Sequence, residues 1–319
     1  MSLLPYLPAA SLALCPEEQR WLIDGLWADQ AVGIVGGEPK CCKSFLALDM
    51  AVAVAAGSAC LRRFPVTRPG TVLLFAAEDA LHVVRSRLAG ICAADGLRLE
   101  DLDLQVVTAP SLRLDLEADR LRLEHTVAVL RPRMLLLDPF VRLHRIDENA
   151  SGEVAPLLAF LRQLQRVHQV AVVVVHHARK GAARQRAGQA LRGSSEFHAW
   201  GDSNLYLRRA EHALLLTVEH RAAPSPEAPL CIQLRANGDA LALELADDDL
   251  TASQETAPAE TIDDRVTGIL AQAENPIPLA TLRSLCRIRT ATLCQTLGRL
   301  AEQQRIIKTT GGYALQPQQ

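Results

Sequence analysis

The sequence predicts an α/β fold with a mostly parallel central sheet, followed by a small helical domain. Short apolar runs alternate with longer helical patterns between residues 31 and 176. The run at 170–175 is apolar without interruption, as expected of a strand that helices cover on both faces. From residue 262 onward the pattern turns helical and ends in two short extended runs around a glycine pair. These observations indicate two domains of unequal size.

The predicted elements follow one another in a regular order. Strands are predicted at residues 31–35, 71–75, 104–108, 133–138 and 170–176, and helices at 45–56, 81–94 and 154–167. An antiparallel extension is predicted from four later runs, at 204–208, 213–219, 230–234 and 240–245. The sequence Asn237-Gly238-Asp239 suits the turn between the last two of these runs.

An acidic stretch marks the predicted domain boundary. Residues 247–260 hold five carboxylates, one proline and no apolar period, which is typical of a solvated linker. Three helical runs follow it and precede a β-ribbon around Gly311-Gly312, the order of a winged helix-turn-helix. The predicted organisation is an N-terminal arm at 1–20, an α/β domain at 21–245, a linker at 246–261 and a winged-helix domain at 262–319.

Composition and charge narrow the classes of function. The hydrophobic fraction of 49% and charged fraction of 22% are ordinary for a soluble globular protein. A net charge of -2 means that any nucleic-acid site must be a local patch. The eight cysteines lack metal-ligand spacing, so we expect reduced thiols in a cytoplasm rather than zinc or disulfides. No run approaches the ~20 apolar residues of a membrane span, so we expect no membrane role.

The octapeptide at residues 37–44 carries most of the chemical information. It lies between a predicted strand and a predicted helix, which is the context of a phosphate-binding P-loop. Backbone N–H groups there can surround phosphates, Lys43 can reach the β and γ oxygens, and the Ser44 hydroxyl can bind Mg²⁺. The predicted ATP-binding segment is Gly37, Glu38, Pro39, Lys40, Cys41, Cys42, Lys43, Ser44 and Phe45.

The octapeptide departs from the usual P-loop pattern at one position. Cys42 stands where the last glycine of the pattern is expected, and a side chain there could narrow the cradle or alter its backbone torsion. The alternative interpretation is an ordinary Gly/Pro turn followed by Lys-Ser. A second motif favours the nucleotide site, because the apolar run 134–137 ends in Asp138, where a carboxylate would hold Mg²⁺ through water. Alone it would be weak, since many buried strands end in aspartate.

Five short motifs follow one another along the chain. They are Ala77-Glu78-Asp79, Leu137-Asp138, Glu148-Asn149-Ala150-Ser151-Gly152, His176-His177-Ala178-Arg179-Lys180-Gly181 and Arg192-Gly193-Ser194-Ser195. On these motifs the chain resembles the RecA-like hexameric helicases, and most closely the plasmid-encoded RepA family of replicative helicases, over residues 21–245. The resemblance implies a RecA-like ATPase core, magnesium-dependent ATP hydrolysis, a homo-hexameric ring and single-stranded DNA as partner.

The resemblance also implies catalytic roles for individual residues. Glu78 would be the general base that polarises the attacking water, the alternative being a surface carboxylate beside Asp79. His177 would sense the γ-phosphate, although His176 competes for this role and a buried structural histidine is the alternative. The arginine that a neighbouring subunit would contribute is replaced by Asp202 at the RepA-like position. Arg221 is the candidate instead, because related helicases place this arginine in a K-x-R element before a final hairpin.

Two basic segments are candidate nucleic-acid contacts. The loop between His177 and Ser195 has no acidic residue and is predicted to face single-stranded DNA through Arg179, Lys180, Arg184, Arg186 and Arg192. Residues 142–151 are a second candidate channel loop, in which two carboxylates oppose two arginines. In the C-terminal domain, duplex DNA would meet Arg287, Arg289, Arg299, Arg305 and Lys308, although winged helices also dock proteins.

The sequence therefore predicts an ATP-dependent DNA-binding motor. The first interpretation is a ring helicase or translocase that acts on single-stranded DNA during replication or processing of a plasmid or other mobile element. The alternative is a non-unwinding, ATP-dependent regulator or loader whose winged helix chooses the site. Cys42, Asp202 and the loss of the K-x-R lysine at Glu219 keep this alternative open, because each could slow hydrolysis.

Overall fold

A computed structural model divides the chain into two compact units, Met1–Asp247 and Asp248–Gln319. The structure describes residues 3–14, 16, 19–177, 196–210, 213–226, 228–237, 240–246, 262–271, 273, 275–286, 290–303 and 305–316. Apart from its first residue, Ala246, the predicted acidic linker lies outside these ranges, as does the predicted turn at Gly238 and Asp239. No helix within them is long and apolar enough to cross a membrane.

The first unit is built on a nine-stranded sheet, preceded by a small hairpin of β1 (Trp21–Ile23) and β2 (Trp27–Ala28). The sheet strands are β3 (Val32–Gly37), β4 (Val72–Ala76), β5 (Leu104–Val106), β6 (Met134–Asp138), β7 (Ala171–His177), β8 (Ser203–Arg209), β9 (Leu214–His220), β10 (Leu230–Asn237) and β11 (Ala240–Leu245). Their order in the sheet is β11-β10-β9-β8-β3-β7-β6-β4-β5.

The sheet is parallel from β5 across to β8 and antiparallel beyond it. Strand β3 pairs in parallel with β7 and β8, while β6 pairs in parallel with β7 and β4. Strands β8 to β11 form successive antiparallel pairs. The predicted mixed α/β fold with a mostly parallel sheet is therefore confirmed. Because parallel strands end at the same edge, the residues after β3, β4, β6 and β7 meet there.

Helices cover both faces of the sheet. They are α1 (Lys43–Ala56), α2 (Leu81–Ala94), α3 (Glu117–Leu130), α4 (Ser151–His168) and the short α5 (Glu196–Trp200). Side chains of β7 alternate between two cores: Val173 and Val175 pack with α1 and α2, whereas Val172 and Val174 pack with α3 and α4. This double burial explains why the strand sequences are continuously apolar.

The N-terminal arm contrasts with this packed core. Its described part includes a short 3-10 turn, Ala9–Ser11, in which no residue is buried. The large apolar side chains of the arm are exposed to solvent, and they are Leu3, Leu4, Tyr6, Leu7, Leu12 and Leu14.

The second unit contains three helices and a two-stranded ribbon. These are α6 (Ile262–Ala271), α7 (Leu279–Cys286), α8 (Thr290–Glu302), β12 (Ile306–Thr309) and β13 (Gly312–Leu315). A small apolar core that includes Val266, Leu282 and Leu297 joins the helices. Two backbone hydrogen bonds of 2.9 Å between Ile277 and Tyr313 fasten the segment before α7 to the ribbon.

Strand β3 lies unusually close to β8 at its first residues. A Cβ atom on Gly33 would stand 1.7 Å from the carbonyl oxygen of Ser203. The Ile34 N–H donates to Asn204 Oδ1 at 3.1 Å, and the Val32 N–H donates to Asp202 Oδ2 at 3.3 Å. The side chains of Asn204 in β8 and of Asp202 just before it thus accept hydrogen bonds from N–H groups of β3. These contacts fix the strand that leads into the octapeptide.

We expect Gly33→Ala to lower the free energy of unfolding by about 3 kcal/mol, because the added methyl group would force two backbones apart. Gly152→Ala is the control, since open space surrounds that glycine within α4 and alanine favours a helix. Urea unfolding measures both variants. Equal stability of the two variants would show that β3 and β8 do not approach as described.

Candidate nucleotide site

The octapeptide begins at the end of β3, between two neighbouring strands. Gly37 pairs with His177 of β7 and with Leu207 of β8. Its φ is +149°, and a Cβ atom there would lie 2.1 Å from the Leu207 carbonyl oxygen, so only glycine fits. Helix α1 starts six residues later at Lys43. The unpaired N–H groups of its first turn favour an anion at this point.

Cys42 has the backbone conformation that a glycine would have at this position. Its φ of 64° and ψ of 24° lie in the left-handed region, and it directly precedes α1. The side chain is half-buried and packs against the core on the α1 face of the sheet. The loop therefore keeps a glycine-like turn at Cys42 although the residue carries a side chain.

Lys43 is folded into the loop. Its Nζ donates a hydrogen bond of 2.6 Å to the Glu38 carbonyl oxygen and lies 3.9 Å from Cys41 Sγ. Burial lowers the pKa of Lys43, and the charges of Cys41 and Asp138 act in the opposite direction. Lys43 is only 5% exposed as a residue, and its ammonium group contacts the loop that would surround a phosphate.

Ser44 and Asp138 form the centre of the site. Asp138 ends β6, and the Ser44 hydroxyl lies near enough to act on the pKa of its carboxylate. Burial raises the pKa of Asp138 to about 6, the Ser44 hydrogen bond lowers it, and the charges of Asp79 and Glu78 raise it. A cation beside this buried carboxylate would offset both the burial and the repulsion. The oxygen ligands are those that Mg²⁺ prefers, so Ser44 and Asp138 fit a magnesium ion.

Two carboxylates stand at the mouth of the site, and each contacts an arginine. Glu78 follows β4, and its Oε1 accepts a hydrogen bond of 2.9 Å from Arg142 Nε. Asp79 forms an ion pair with Arg87. The Arg87 guanidinium in turn lies 5.3 Å from the centre of the Phe45 ring, in a cation–π contact.

The two candidate histidines lie on opposite faces of the sheet. His176 is 1% exposed and stacks on Phe197 with ring centroids 4.4 Å apart. Phe140 meets the same histidine edge-on at 6.0 Å. His177 lies on the α1 face, level with Gly37 at the end of β7, and is less buried. The geometry therefore favours His177 as the residue beside a phosphate, with His176 as part of the core.

Sequence reasoning missed one basic residue at the loop. Arg209 ends β8, and its Nη2 donates a hydrogen bond of 2.8 Å to the Lys40 carbonyl oxygen. Its charge also acts on Cys42. Only strand alternation could have indicated this, since Arg209 shares a face with Leu205 and Leu207, which pack on the α1 side.

Arg221 lies at the opposite end of the sheet from the octapeptide. It follows β9, pairs with Asp202 at 3.4 Å and also donates to the Ala199 carbonyl oxygen. Asp202 adjoins the start of β3, roughly 16 Å along the strand from Gly37, taking about 3.3 Å per residue. Arg221 therefore does not join the nucleotide site of its own chain.

The predicted DNA contacts fall mostly outside the described residues. These are Arg179, Lys180, Arg184, Arg186, Arg192, Arg287 and Arg289. In the second unit, Arg299, Arg305 and Lys308 are exposed, and Arg299 forms an ion pair with Asp263.

We expect Cys42→Val to be less stable than Cys42→Gly by about 2 kcal/mol, because a β-branched side chain is strained at positive φ while glycine is not. The glycine variant should stay within about 1 kcal/mol of the parent protein, since lost strain offsets the greater freedom of the unfolded chain. Urea unfolding gives these values. Cys231→Val, in the extended strand β10, controls for the substitution itself. Indistinguishable glycine and valine variants at 42 would contradict the left-handed turn.

Comparison with known proteins agrees with this geometry. The family described as "AAA domain" matches residues 2–183. The structure resembles the RadB recombinase with a TM-score of 0.50 and 16% identity, covering 69% of this chain and 92% of that one. It also resembles a DnaB-like replicative helicase, solved with its primase interactions, with a TM-score of 0.51 and 13% identity over 67% of this chain.

The two structural likenesses concern the fold alone, and the chain spans 59% of the helicase chain. The family match covers more than half of the chain and includes the octapeptide, Glu78, Asp138 and His177. The chain belongs to the AAA domain family, and its first unit has the fold of a RecA-like P-loop ATPase.

Proposed function

We propose that this protein is an ATP-driven DNA motor of the ring helicase or translocase type. The convergence of Lys43, Ser44 and Asp138 at the start of α1 is the observation that carries the proposal. A buried ammonium, a hydroxyl and a buried carboxylate in one loop suit a magnesium-bound triphosphate and have little purpose in a structural turn.

The residues would divide the work of hydrolysis among them. Loop N–H groups and the first turn of α1 bind the phosphates, and Lys43 exchanges the Glu38 carbonyl for the β and γ oxygens. Ser44 and Asp138 would hold Mg²⁺, which when bound neutralises phosphate charge. Glu78 accepts a proton from the attacking water, so that the water oxygen bonds to the γ-phosphorus while the bond to the leaving diphosphate breaks.

Single-stranded DNA is the proposed partner of the first unit. The basic segment between His177 and Ser195 follows β7 directly, so it starts from the strand whose last residue lies beside the phosphate loop. A change at the γ-phosphate can thus reach the segment through His177 alone. Phosphate contacts by its arginines would be independent of DNA sequence.

A homo-hexameric ring is the proposed assembly. Arg221 is 54% exposed and far from its own nucleotide, as expected of an arginine that acts on the nucleotide of a neighbouring subunit. The second unit is proposed to be a winged helix that binds duplex DNA through α8 and the ribbon. The resemblance to RepA-type helicases supports a task in the replication of a plasmid or other mobile element, in the cytoplasm.

A non-unwinding regulator or loader is the second candidate. The Arg221 guanidinium is engaged within its own chain by Asp202 and the Ala199 carbonyl, which would restrain its use on a neighbouring nucleotide. In this case ATP would control assembly, and hydrolysis would be slow. A strand-displacement assay separates the candidates, because only a helicase separates a forked duplex as it hydrolyses ATP.

We expect ATP hydrolysis that depends on magnesium and is stimulated by single-stranded DNA. Glu78→Gln should bind ATP with magnesium and lower kcat by about 10²-fold or more, since it removes a general base. Lys43→Ala should weaken ATP binding by about ten- to hundredfold, because it removes a charged donor to the phosphates. Phosphate release and binding of a fluorescent ATP analogue, with and without EDTA, measure these effects.

Glu100→Gln is the matched control for Glu78→Gln. Glu100 is also an exposed carboxylate paired with an arginine, Arg85 at 3.4 Å, and it is remote from the phosphate loop. Full activity in both Lys43→Ala and Glu78→Gln would contradict the proposed site. Absence of any ATP binding by the parent protein with magnesium, with or without DNA, would end the proposal.

A further inference from the structure

Arg142 is an exposed arginine that contacts the proposed general base. It ends the one-turn 3-10 helix Phe140–Arg142, which follows Asp138 and Pro139. Phe140, the first residue of the turn, and Leu143, which follows it, are fully buried, so the backbone is anchored. The Arg142 side chain nevertheless stays 61% exposed while its Nε contacts Glu78 Oε1 at 2.9 Å.

The two partners come from adjacent strands that are held in register. Ala76 of β4 pairs with Asp138 of β6, and the Ala77 N–H donates to the Asp138 carbonyl oxygen at 2.7 Å. The segments that carry Glu78 and Arg142 are thus fixed against each other. Only the ends of the two side chains are free to rearrange, so a change of partner needs no backbone movement.

The neighbouring ion pair of Asp79 and Arg87 is less exposed and has an additional contact. Asp79 and Arg87 have side-chain exposures of 32% and 27%, and Arg87 is also held by the Phe45 ring. Glu78 and Arg142 are more exposed, at 43% and 61%. An exposed ion pair shifts an equilibrium by no more than about fivefold, so a stronger anion can displace the carboxylate.

A nucleic-acid phosphate is the anion that the surroundings favour. The Arg142 turn leaves the end of β6, and the basic segment that starts after His177 leaves the end of β7. Strands β6 and β7 are direct neighbours in the sheet. A strand of DNA drawn to that segment would bring phosphates to the same edge, and a guanidinium binds phosphate in a bidentate geometry.

We propose that Arg142 is a positioning residue that exchanges Glu78 for a nucleic-acid phosphate. Without DNA, the guanidinium occupies one oxygen of Glu78 and holds the carboxylate away from the attacking water. When a nucleic-acid phosphate binds the Arg142 guanidinium, Glu78 is released and turns toward the attacking water, so that ATP hydrolysis accelerates. This inference rests on the proposed function, because it needs Glu78 as the base and DNA as the partner.

The test compares Arg142→Gln with the parent protein as full chains. DNA-independent kcat should rise about two- to fivefold, the range that an exposed ion pair imposes, and stimulation by single-stranded DNA should fall to near one. KM for ATP should not change. The salt dependence of DNA binding should lose about one phosphate contact, a slope change near 0.7 for a single strand. Arg142→Lys should restore part of the stimulation.

Arg122→Gln is the control for these measurements. It breaks an exposed arginine–carboxylate pair of similar length, with Asp119 at 3.2 Å on α3, and we expect the same kcat and stimulation as in the parent. The inference is overturned if Arg142→Gln lowers the DNA-independent kcat, keeps full stimulation, or raises KM for ATP, which would make ATP the anion.

These failures are distinguishable from failure of the proposed function. If Glu78→Gln is inactive and the parent is stimulated by DNA, the proposed function stands and only the role of Arg142 is wrong. If Glu78→Gln alone keeps full activity, the inference about Arg142 falls because Glu78 is not the base, while the nucleotide site stands. If the parent binds no ATP, both proposals fall together.

Discussion

The close approach of β3 to β8 is the constraint on which the phosphate loop depends. Gly33 and Gly37 leave no room for a side chain, because carbonyl groups of β8 stand where a Cβ atom would be. Strand β7 holds β3 from the other side, in parallel register up to Gly37. The loop therefore starts from a backbone fixed on both sides, and its residues turn into α1 without needing support from a ligand.

The hydrogen-bond acceptors of the cations in the phosphate loop are a second feature of the site. Lys43 Nζ donates to the Glu38 carbonyl oxygen and Arg209 Nη2 donates to the Lys40 carbonyl oxygen, so both cations contact oxygens of the loop itself. A triphosphate offers stronger, charged acceptors to the same groups. Binding can then proceed by replacing neutral partners with ionic ones, which favours the phosphates while the backbone of the loop keeps its conformation.

The strands of the sheet were predictable because burial on both faces requires continuously apolar sequences. The octapeptide was predictable because its functional residues are adjacent in the sequence. Helix α3 could not be predicted, since only Leu123 and Val127 are buried and no apolar stripe marks it. The hairpin of β1 and β2 is too short to show alternation. The contacts of Arg209 and Arg142 join segments far apart in sequence, so local patterns show at most the face of the strand on which Arg209 lies and not the partner of either arginine.

The contacts of Asp202 give a structural reason for a carboxylate at this position. The sequence-based expectation for this position is an arginine, yet the Asp202 carboxylate accepts the Val32 N–H and pairs with both Arg162 and Arg221. An arginine at 202 would face two like charges and leave the start of β3 without its acceptor. The backbone of Arg221 hydrogen-bonds to Asp202, so a guanidinium remains at the same corner of the sheet, carried by β9 instead of β8. The carboxylate at 202 thus serves the start of β3, and Arg221 places a guanidinium beside it.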